Sequence, residues 1–560
     1  MNSLKPYPRH QLRKVHPADG VWDFTFLGDI ARDKLDLDQI VYDDAMPVPA
    51  AFDAMPAYAG RRGLAVYRRK ISVTPGRPSR LNFEAVSLWC RIYVDGRLLG
   101  EHACGYTGFW VDVPAGDFQD RELVVVVDNR FDFHRSPLHE HYFDFYQWGG
   151  IIRSVWIHEV GGSYLKDAFV RTIDPVVGDI HVQVQIEGAN GTPLSLELDG
   201  LPVGSYLASA RMELRCRVPE PQPWSPGTPH LHHLRLRLGD DDMIIRFGLR
   251  TVEARDGQLM LNGEPVELRG YNRHESHPQF GPALPLSLLV ADLQQLRDLG
   301  ANFVRGSHYP QDQRFLDLCD EMGFLVWEEG IGWGQRARQL EDAGFRKAHL
   351  AMLEEMVCTS RNHPCVILWG VLNELGSNEN CARPVLEESI NRIRQLDPTR
   401  PVTYATMFPL EDLCYDLADV IAHNIYPGWY GCEDVEDPLS LIVPHIHKCI
   451  AHVDSLGHRA KPYIISEIGA EGLYGWHDAL NGFFTEEYQA AYIETVLCEV
   501  AANARINGIA LWHFSDARTY VGGRALVRPR AFNNKGTVDE YRRPKRAYEH
   551  VKRLWRAKGE

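Results

Sequence analysis

The second half of the chain limits the fold most, because its pattern repeats. After about residue 253, short apolar segments typical of strands alternate with helical stretches such as residues 289–296, after which Gly300 is a predicted helix cap. Eight β/α units in about 300 residues is the size of a TIM barrel, so a (β/α)8 TIM barrel is predicted, with an open doubly wound sheet as the alternative. The strand candidates lie near residues 266–275, 302–308, 324–329, 366–374, 402–407, 420–427, 463–469 and 508–516.

The first half of the chain has the composition of β-structure. Up to about residue 160, short β-branched and aromatic runs are separated by turn signals such as Asp95-Gly96. From about residue 161 to 252, apolar and polar residues alternate, as they do from Ile180 to Ile186, which predicts a small antiparallel sandwich. We therefore divide the chain into residues 1–160, 161–252 and 253–560.

Composition and charge exclude several functions. Lys and Arg number 60 against 75 Asp and Glu, so the net charge of −15 argues against a nucleic-acid binder. No apolar run approaches the roughly 18 residues of a membrane span, so no membrane partner is expected. The first residues contain no apolar core typical of a signal peptide. Eleven scattered cysteines without a CxxC pair favour reduced thiols and a cytoplasmic location.

Polar side chains follow the barrel strand candidates where each strand ends, which is where TIM barrels carry their active sites. The strands at 366–374 and 463–469 end in Asn373-Glu374 and in Glu467, and as strands four and seven they face each other. Two carboxyl groups held across a sugar cleft are what glycoside hydrolysis requires, one protonated and one ionised. Asn373 can hydrogen-bond the sugar 2-hydroxyl. Taken singly, each of these residues could instead be a helix cap or a surface charge.

Several motifs carry a family resemblance. They are Val94-Asp95-Gly96 within residues 94–100, Gly105-Tyr106-Thr107 within 105–109, the stretch 149–155, and the barrel segments 268–275, 304–310 and 362–374. With them the chain resembles glycoside hydrolase family 2, the β-galactosidases, β-glucuronidases and β-mannosidases, over nearly its whole length. The resemblance implies a β jelly-roll sugar-binding domain at 1–160, an immunoglobulin-like β-sandwich at 161–252 and a catalytic TIM barrel at 253–560.

The resemblance also implies roles for site residues. Glu374 would be the acid/base and Glu467 the nucleophile of a retaining exo-β-glycosidase, with carboxyl groups about 5–5.5 Å apart. Tyr426 would hydrogen-bond the nucleophile, although a core tyrosine is the alternative, and Trp512 would stack under the sugar. Asp144 would reach the sugar from the first domain. The other substrate-binding candidates are His274, Asn424 and Tyr430.

No cofactor is expected, and we expect a metal-free hydrolase. Some β-galactosidases of the family bind magnesium, so Glu328 and Glu329 are the alternative ligands. The family often forms dimers or tetramers, which implies a homo-oligomer.

Asn533 and Lys535 resemble the Asn-x-Lys motif of β-glucuronidases. A uronic acid carries a carboxylate at C6, and a lysine with an amide donor suits it, with Arg528 or Arg530 as a further contact. A solvated loop lysine is the alternative. We therefore predict hydrolysis of terminal β-uronides, most of all β-D-glucuronides.

Three other functions stay open. Phe532 and Phe143 depart from the glucuronidase pattern, which leaves the configuration at C4 open and keeps β-galacturonidase as an alternative. The others are a β-galactosidase acting on neutral sugars and an inactive carbohydrate-binding protein. The short stretch from Trp327 to Arg361 predicts an open site.

Overall fold

A computed structural model describes residues 7–139, 145–189, 191–520 and 528–557. In its N-terminal part, a six-stranded sheet (order β3-β2-β4-β10-β7-β8) packs on a four-stranded sheet (β1-β12-β5-β9), with a small β11-β6 pair beside them. This two-layer sandwich agrees with the jelly roll that we expected. Its strands are β1 Val15–Pro17, β2 Gly20–Gly28, β3 Asp44–Val48, β4 Leu64–Ser72, β5 Ser79–Phe83, β6 Val86–Ser87, β7 Trp89–Val94, β8 Arg97–Ala103, β9 Phe109–Val113, β10 Asp120–Asp128, β11 Gly150–Ile151 and β12 Val155–Glu159.

The middle part is a second, smaller sandwich. A three-stranded sheet (β13-β14-β17) faces a four-stranded sheet (β16-β15-β18-β19), and every ladder is antiparallel. The alternation read from the sequence is visible in β18, where Leu234, Leu236 and Leu238 are buried and form part of the core. The strands are β13 Tyr164–Asp174, β14 Asp179–Glu187, β15 Pro193–Leu198, β16 Leu201–Leu207, β17 Arg211–Arg217, β18 His232–Leu238 and β19 Asp241–Phe247.

The C-terminal part is a TIM barrel, which confirms the predicted fold class and excludes the open sheet. Eight parallel strands follow the order β27-β26-β25-β24-β23-β30-β29-β28. Thr406 joins the two ends, since its N–H donates to Ala422 at 3.1 Å and its carbonyl accepts from Asn424 at 2.9 Å. After a short antiparallel group, β20 Val252–Arg255, β21 Gln258–Leu261 and β22 Glu264–Pro265, the barrel strands are β23 Leu268–Asn272, β24 Phe303–Gly306, β25 Leu325–Glu329, β26 Val366–Asn373, β27 Val402–Ala405, β28 Ile421–Asn424, β29 Tyr463–Ile468 and β30 Gly508–Leu511.

Helices pack around the barrel. The first ends at Gly300 with φ +83°, where glycine closes the helix in the left-handed conformation, as the sequence predicted. None of the described helices is both long and apolar enough to cross a membrane. The helices are α1 Leu286–Leu299, α2 Gln313–Met322, α3 Ala337–Leu340, α4 Ala343–Ser360, α5 Ala382–Leu396, α6 Ile442–Ser455, α7 Glu486–Ala502 and α8 Arg546–Arg556, and the short strands β31 Ala517–Arg518 and β32 Phe532–Asn533 precede α8.

The N-terminal sandwich is locked onto the mouth of the barrel. Buried Arg153 donates to the Glu275 carboxylate at 2.9 Å and to the Pro310 carbonyl at 2.7 Å. Beside it, the rings of Tyr106 and Tyr309 stack with centroids 4.0 Å apart. These contacts fix the first sandwich against the strand ends that carry the polar residues.

Candidate active site

Two glutamates lie at the C-terminal ends of opposite barrel strands. Glu374 directly follows β26, and Glu467 is the last residue but one of β29; both are buried. The backbone of Glu374 is in the left-handed region with φ +53°, a conformation that non-glycine residues seldom adopt and that is often found at functional sites. A hydrogen bond from its N–H to the Ala405 carbonyl (2.9 Å) holds it there. The strand end therefore directs this carboxyl group into a fixed position.

The Glu467 carboxylate is held by three side chains. Arg305 donates to Oε1 at 2.8 Å, the Tyr426 hydroxyl donates to Oε2 at 2.7 Å, and His308 Nε2 lies 3.6 Å from Oε1. Burial raises the pKa of Glu467 to about 8, the Glu374 charge acts in the same direction, and Arg305 and Tyr426 act to lower it. The two carboxyl groups are therefore electrostatically coupled.

Arg305 is the centre of a buried network. Its guanidinium makes a bidentate pair with Glu329 at 2.8–3.0 Å and donates to Asn373 Oδ1 at 2.8 Å. Glu329 in turn contacts His308 Nδ1 at 2.9 Å. These hydrogen bonds give the polar groups of the network protein partners and fix the orientation of Arg305, which in turn binds Glu467.

Asn424 connects the two strand ends on the other side. Its Nδ2 donates to Glu374 Oε1 and to Asn373 Oδ1, both at 2.9 Å, while its Oδ1 accepts from Ser466 at 2.7 Å. The oxygen of Asn373 is therefore used by protein donors. Its amide nitrogen, 3.4 Å from His308 Nε2, is the atom suited to a sugar hydroxyl.

Aromatic rings line the barrel mouth next to Glu467. Trp512 stacks on the His308 ring with centroids 5.0 Å apart, and its edge meets His274 at 5.3 Å. Burial lowers the pKa of His274 well below its usual value, so this ring is neutral. Its Nε2 has no hydrogen-bond partner among the residues that the structure describes. A neutral ring nitrogen beside an indole can accept from, or donate to, a sugar hydroxyl.

A second group of charged residues lies beside Tyr430, the ring that neighbours Tyr426. Lys535 Nζ donates to the Tyr430 hydroxyl at 2.8 Å and to Glu471 Oε1 at 3.3 Å. Arg528 donates to the same two groups. The rings of Tyr426 and Tyr430 lie 5.2 Å apart, so this cationic group is next to the residue that bonds Glu467. Lys535 is buried, which disagrees with a solvated loop lysine.

The sugar-binding candidates Asn533, Arg530 and Asp144 have different surroundings. Asn533 is buried, and its Nδ2 has no hydrogen-bond partner in the described part of the chain. Arg530 is 45% exposed and pairs instead with Glu540 at 2.9 Å and with Asn534 Oδ1 at 2.9 Å. Asp144 lies outside the described residues, as does Phe143.

Of the two acidic residues considered as metal ligands, Glu329 is engaged by the protein through both oxygens and Glu328 through one, while Glu328 Oε2 has no partner among the described residues. Glu329 binds Arg305 and His308, and one oxygen of Glu328 accepts from the Gln311 N–H at 3.1 Å. Ligand atoms of Asp320, His363 and Cys365 do lie within 4.8 Å of one another, just before β26 begins. His363 bonds the Asp320 carboxylate at 2.6 Å and Gln313 at 3.1 Å, so both its ring nitrogens have protein partners. This cluster lies at the opposite end of β26 from Glu374.

Comparison with known proteins adds to this geometry. Residues 252–558, more than half of the chain, match the sequence profile of "Glycosyl hydrolases family 2, TIM barrel domain". The chain belongs to glycosyl hydrolase family 2. A β-galacturonidase of the family from Eisenbergiella tayi, solved with galacturonate, is 31% identical and superposes with a TM-score of 0.91 over 99% of both chains. A β-glucuronidase from Faecalibacterium prausnitzii has a TM-score of 0.88 at 27% identity, over 98% of this chain and 99% of its own.

Curated relatives agree with the solved structures. The β-glucuronidase of Sus scrofa is 28% identical over 90% of this chain and 83% of its own length. The protein is therefore a glycoside hydrolase, as predicted from its motifs.

Several residues of this family 2 site were not assigned by the sequence. Arg305 stood among the polar strand ends without a role, and Glu471 and Arg336 were not considered. Arg336 donates to the backbone carbonyl of Glu374 at 2.7 Å. The sequence does contain one signal for such residues. A charged side chain at the end of an apolar strand is expected to be buried, and a buried charge needs a partner of opposite charge. The sequence alone does not say which partner it takes.

Proposed function

We propose that the protein is a retaining exo-β-glycosidase that hydrolyses terminal β-uronides, with Glu467 as nucleophile and Glu374 as acid/base. The observation that carries this proposal is the coupled pair of buried carboxyl groups at the ends of β26 and β29, with Lys535 and Arg528 beside it. The named relatives, β-glucuronidases and β-galacturonidases, support the same class of substrate.

The proposal assigns the shared proton of the pair to Glu374. Arg305 and Tyr426 both stabilise negative charge on Glu467. We therefore place the single proton of the pair on Glu374, where it removes the like charge that raises the pKa of Glu467. The state with an ionised Glu467 and a protonated Glu374 is the one that glycoside hydrolysis needs.

The reaction then has two balanced steps. Glu467 forms a bond to the anomeric carbon while the bond from that carbon to the leaving oxygen breaks, and Glu374 gives its proton to that oxygen. Next, a water oxygen attacks the anomeric carbon as the bond to Glu467 breaks, and Glu374 takes the proton of the water. Each step inverts the anomeric carbon, so the sugar is released with retained configuration.

Lys535 and Asn533 bind the C6 carboxylate in this proposal. The ammonium group of Lys535 has three N–H donors, of which Glu471 and Tyr430 take two. The third donor and the unpartnered Nδ2 of Asn533 suit the two oxygens of a carboxylate. A neutral hexose would leave both buried donors without that partner.

The sugar epimer has two candidates, which differ only at C4. The Asn533-x-Lys535 pattern favours glucuronides, and the 31% identity to a β-galacturonidase favours galacturonides as the second candidate. A β-galactosidase acting on neutral sugars is favoured least, because of the buried cations. We also keep the cytoplasmic location, which the eleven free thiols support, and a homo-oligomeric state as proposals.

A panel of p-nitrophenyl β-glucuronide, β-galacturonide and β-galactoside tests the proposal. We expect turnover of a uronide, and Lys535→Ala should reduce its kcat/KM by about 100-fold, because a charge-assisted hydrogen bond in a buried site is lost. Arg217→Ala, on the surface of the middle sandwich, is the matched control. Hydrolysis of the neutral galactoside alone, unaffected by Lys535→Ala, would overturn the uronide assignment.

A further inference from the structure

Glu471 is a buried carboxylate for which the proposed mechanism has no use. It lies three residues beyond β29, on the same strand end as Glu467, and is 0% exposed. A glutamate is almost never fully buried unless it is paired, so its partners indicate why it is there.

Each oxygen of Glu471 binds a different part of one segment. Oε1 accepts from Lys535 Nζ at 3.3 Å and from Arg528. Oε2 accepts from the backbone N–H of Asn534 at 3.3 Å and from its side-chain Nδ2 at 3.1 Å. The carboxylate therefore holds the lysine side chain and, at the same time, the backbone between Asn533 and Lys535.

The contacts of Glu471 fix the directions of two donors, the third N–H of Lys535 and the Nδ2 of Asn533. Once Glu471 and the Tyr430 hydroxyl have taken two N–H groups of Lys535, the direction of the third is fixed by tetrahedral geometry. The bonds to Asn534 fix the backbone that carries Asn533, whose Nδ2 has no hydrogen-bond partner among the described residues. Tyr430 is 47% exposed, so the group reaches the open side of the cleft.

We propose that Glu471 is a specificity-determining positioning residue, which aims Lys535 and Asn533 at the carboxylate of a uronic acid. The inference rests on the proposed function, since it assumes that the sugar carries a C6 carboxylate. Glu471 touches no substrate atom and acts through Lys535 and Asn534. Without its charge, the ammonium and guanidinium groups repel each other and lose their common acceptor.

The test compares a uronic acid with its neutral primary amide as competitive inhibitors of aryl uronide hydrolysis. For the parent protein we expect the acid to bind more tightly than the amide. Glu471→Gln should raise the inhibition constant of the acid about 10-fold or more, the effect of one charge-assisted hydrogen bond, and change that of the amide far less. Glu471→Asp, which restores the charge, should recover part of the difference.

Two further variants separate positioning from a merely structural role. In a Lys535→Gln background, Glu471→Gln should change the ratio of the inhibition constants of acid and amide much less than it does in the parent protein, because the contact to Lys535 is already lost and only the contacts to Asn534 remain. Asp241→Asn, in the middle sandwich, removes a buried carboxylate that pairs with Arg13 and should leave the ratio unchanged. If Glu471→Gln fails to fold by circular dichroism, Asn534→Ala removes the other half of the contacts and should weaken the preference for the acid over the amide in the same way.

Each outcome decides something. Equal weakening of acid and amide by Glu471→Gln, or an unchanged or larger preference for the acid, overturns the inference. A parent protein that hydrolyses no uronide and binds acid and amide alike overturns the proposed function instead.

Discussion

At the scale of single residues, the pKa of Glu467 is set by its burial and by three neighbours. Arg305 and Tyr426 stabilise its carboxylate, while the charge of Glu374 opposes it. Because these effects have different signs, single substitutions should move the pH profile of the reaction in different directions.

Glu374→Gln should remove the alkaline fall in kcat/KM. Burial and the Glu374 charge raise the pKa of Glu467 to about 8, so the pair loses its last proton in mildly alkaline solution. Above that pH the wild-type protein has two carboxylates and no acid, and its kcat/KM should decrease. The variant has one carboxylate, so the pH profile of its kcat/KM should show only an acidic limb. The substrate for this measurement is an aryl uronide whose phenolate leaving group needs no proton. An alkaline limb that persists in the variant would contradict the assignment of Glu374.

Tyr426→Phe should move the acidic limb to higher pH. The hydroxyl donates to Glu467 at 2.7 Å and lowers its pKa, so its removal raises that pKa and keeps the nucleophile protonated over a wider range. We expect kcat/KM at neutral pH to decrease about 10-fold, the effect of one hydrogen bond to a charged group. The pH dependence of kcat/KM measures both effects. An acidic limb that stays in place or moves to lower pH would refute the role of Tyr426.

At the scale of elements, the segment that carries Lys535, residues 533–536, is held in place by hydrogen bonds to Lys545 and Asp516. Lys545 Nζ donates to Asp516 at 2.7 Å and to the Asn534 carbonyl at 3.0 Å, and the Gly536 N–H donates to Asp516 at 3.0 Å. The loop after β32 is thus attached to the loop after β30 along its length. In the proposed function, the position of this segment, and not only the charge of Lys535, decides whether Lys535 reaches the sugar.

Gly536→Ala should displace this segment. A Cβ at Gly536 would lie 2.4 Å from the Asp516 backbone nitrogen and 2.4 Å from the Val538 carbonyl oxygen, and backbone atoms cannot give way cheaply. A shift of about 1 Å in a binding group can cost about 100-fold in rate, so we expect a large loss of uronide kcat/KM. Gly227→Ala, where nothing lies within 4 Å, is the control. Unchanged kinetics in both variants would show that the segment is not needed in this position.

At the scale of the whole molecule, the first sandwich supports the barrel mouth through buried polar contacts. Arg153 of the sandwich reaches Glu275, whose other oxygen accepts from the Asp312 N–H at 2.6 Å. Glu275 directly follows His274, which lies against Trp512. A change at this interface therefore acts on the site as well as on stability.

Arg153→Met should destabilise the protein by about 3 kcal/mol, because buried Glu275 loses the guanidinium that pairs with it at 2.9 Å and keeps only Arg273 at 4.0 Å. The same variant should lower kcat/KM, since His274 loses its support. Denaturant unfolding and steady-state kinetics measure the two effects. Arg217→Met is the control, since its pair with Asp179 is on the surface, where ion pairs add little. Equal stability of the two variants would argue against a supporting role of the interface.

The fold and the positions of the two glutamates proposed as the catalytic pair were accessible from the sequence. Strand and helix periodicity are local properties, and the eight apolar segments with Glu374 and Glu467 at two of their ends predicted the barrel and both glutamates at its mouth. The family motifs then indicated a uronide and singled out Lys535. Local pattern was sufficient here because a barrel brings all its strand ends to one face.

The tertiary structure alone decided which charges meet. Arg528 and Arg530 have equal standing in the sequence, yet one binds Glu471 beside Tyr430 and the other pairs with Glu540. Arg305 takes Glu329 from the next barrel strand and Glu467 from a strand 162 residues away in the chain. The partner of a buried charge depends on distances in three dimensions and on the removal of water, and neither is encoded in the spacing of residues along one strand.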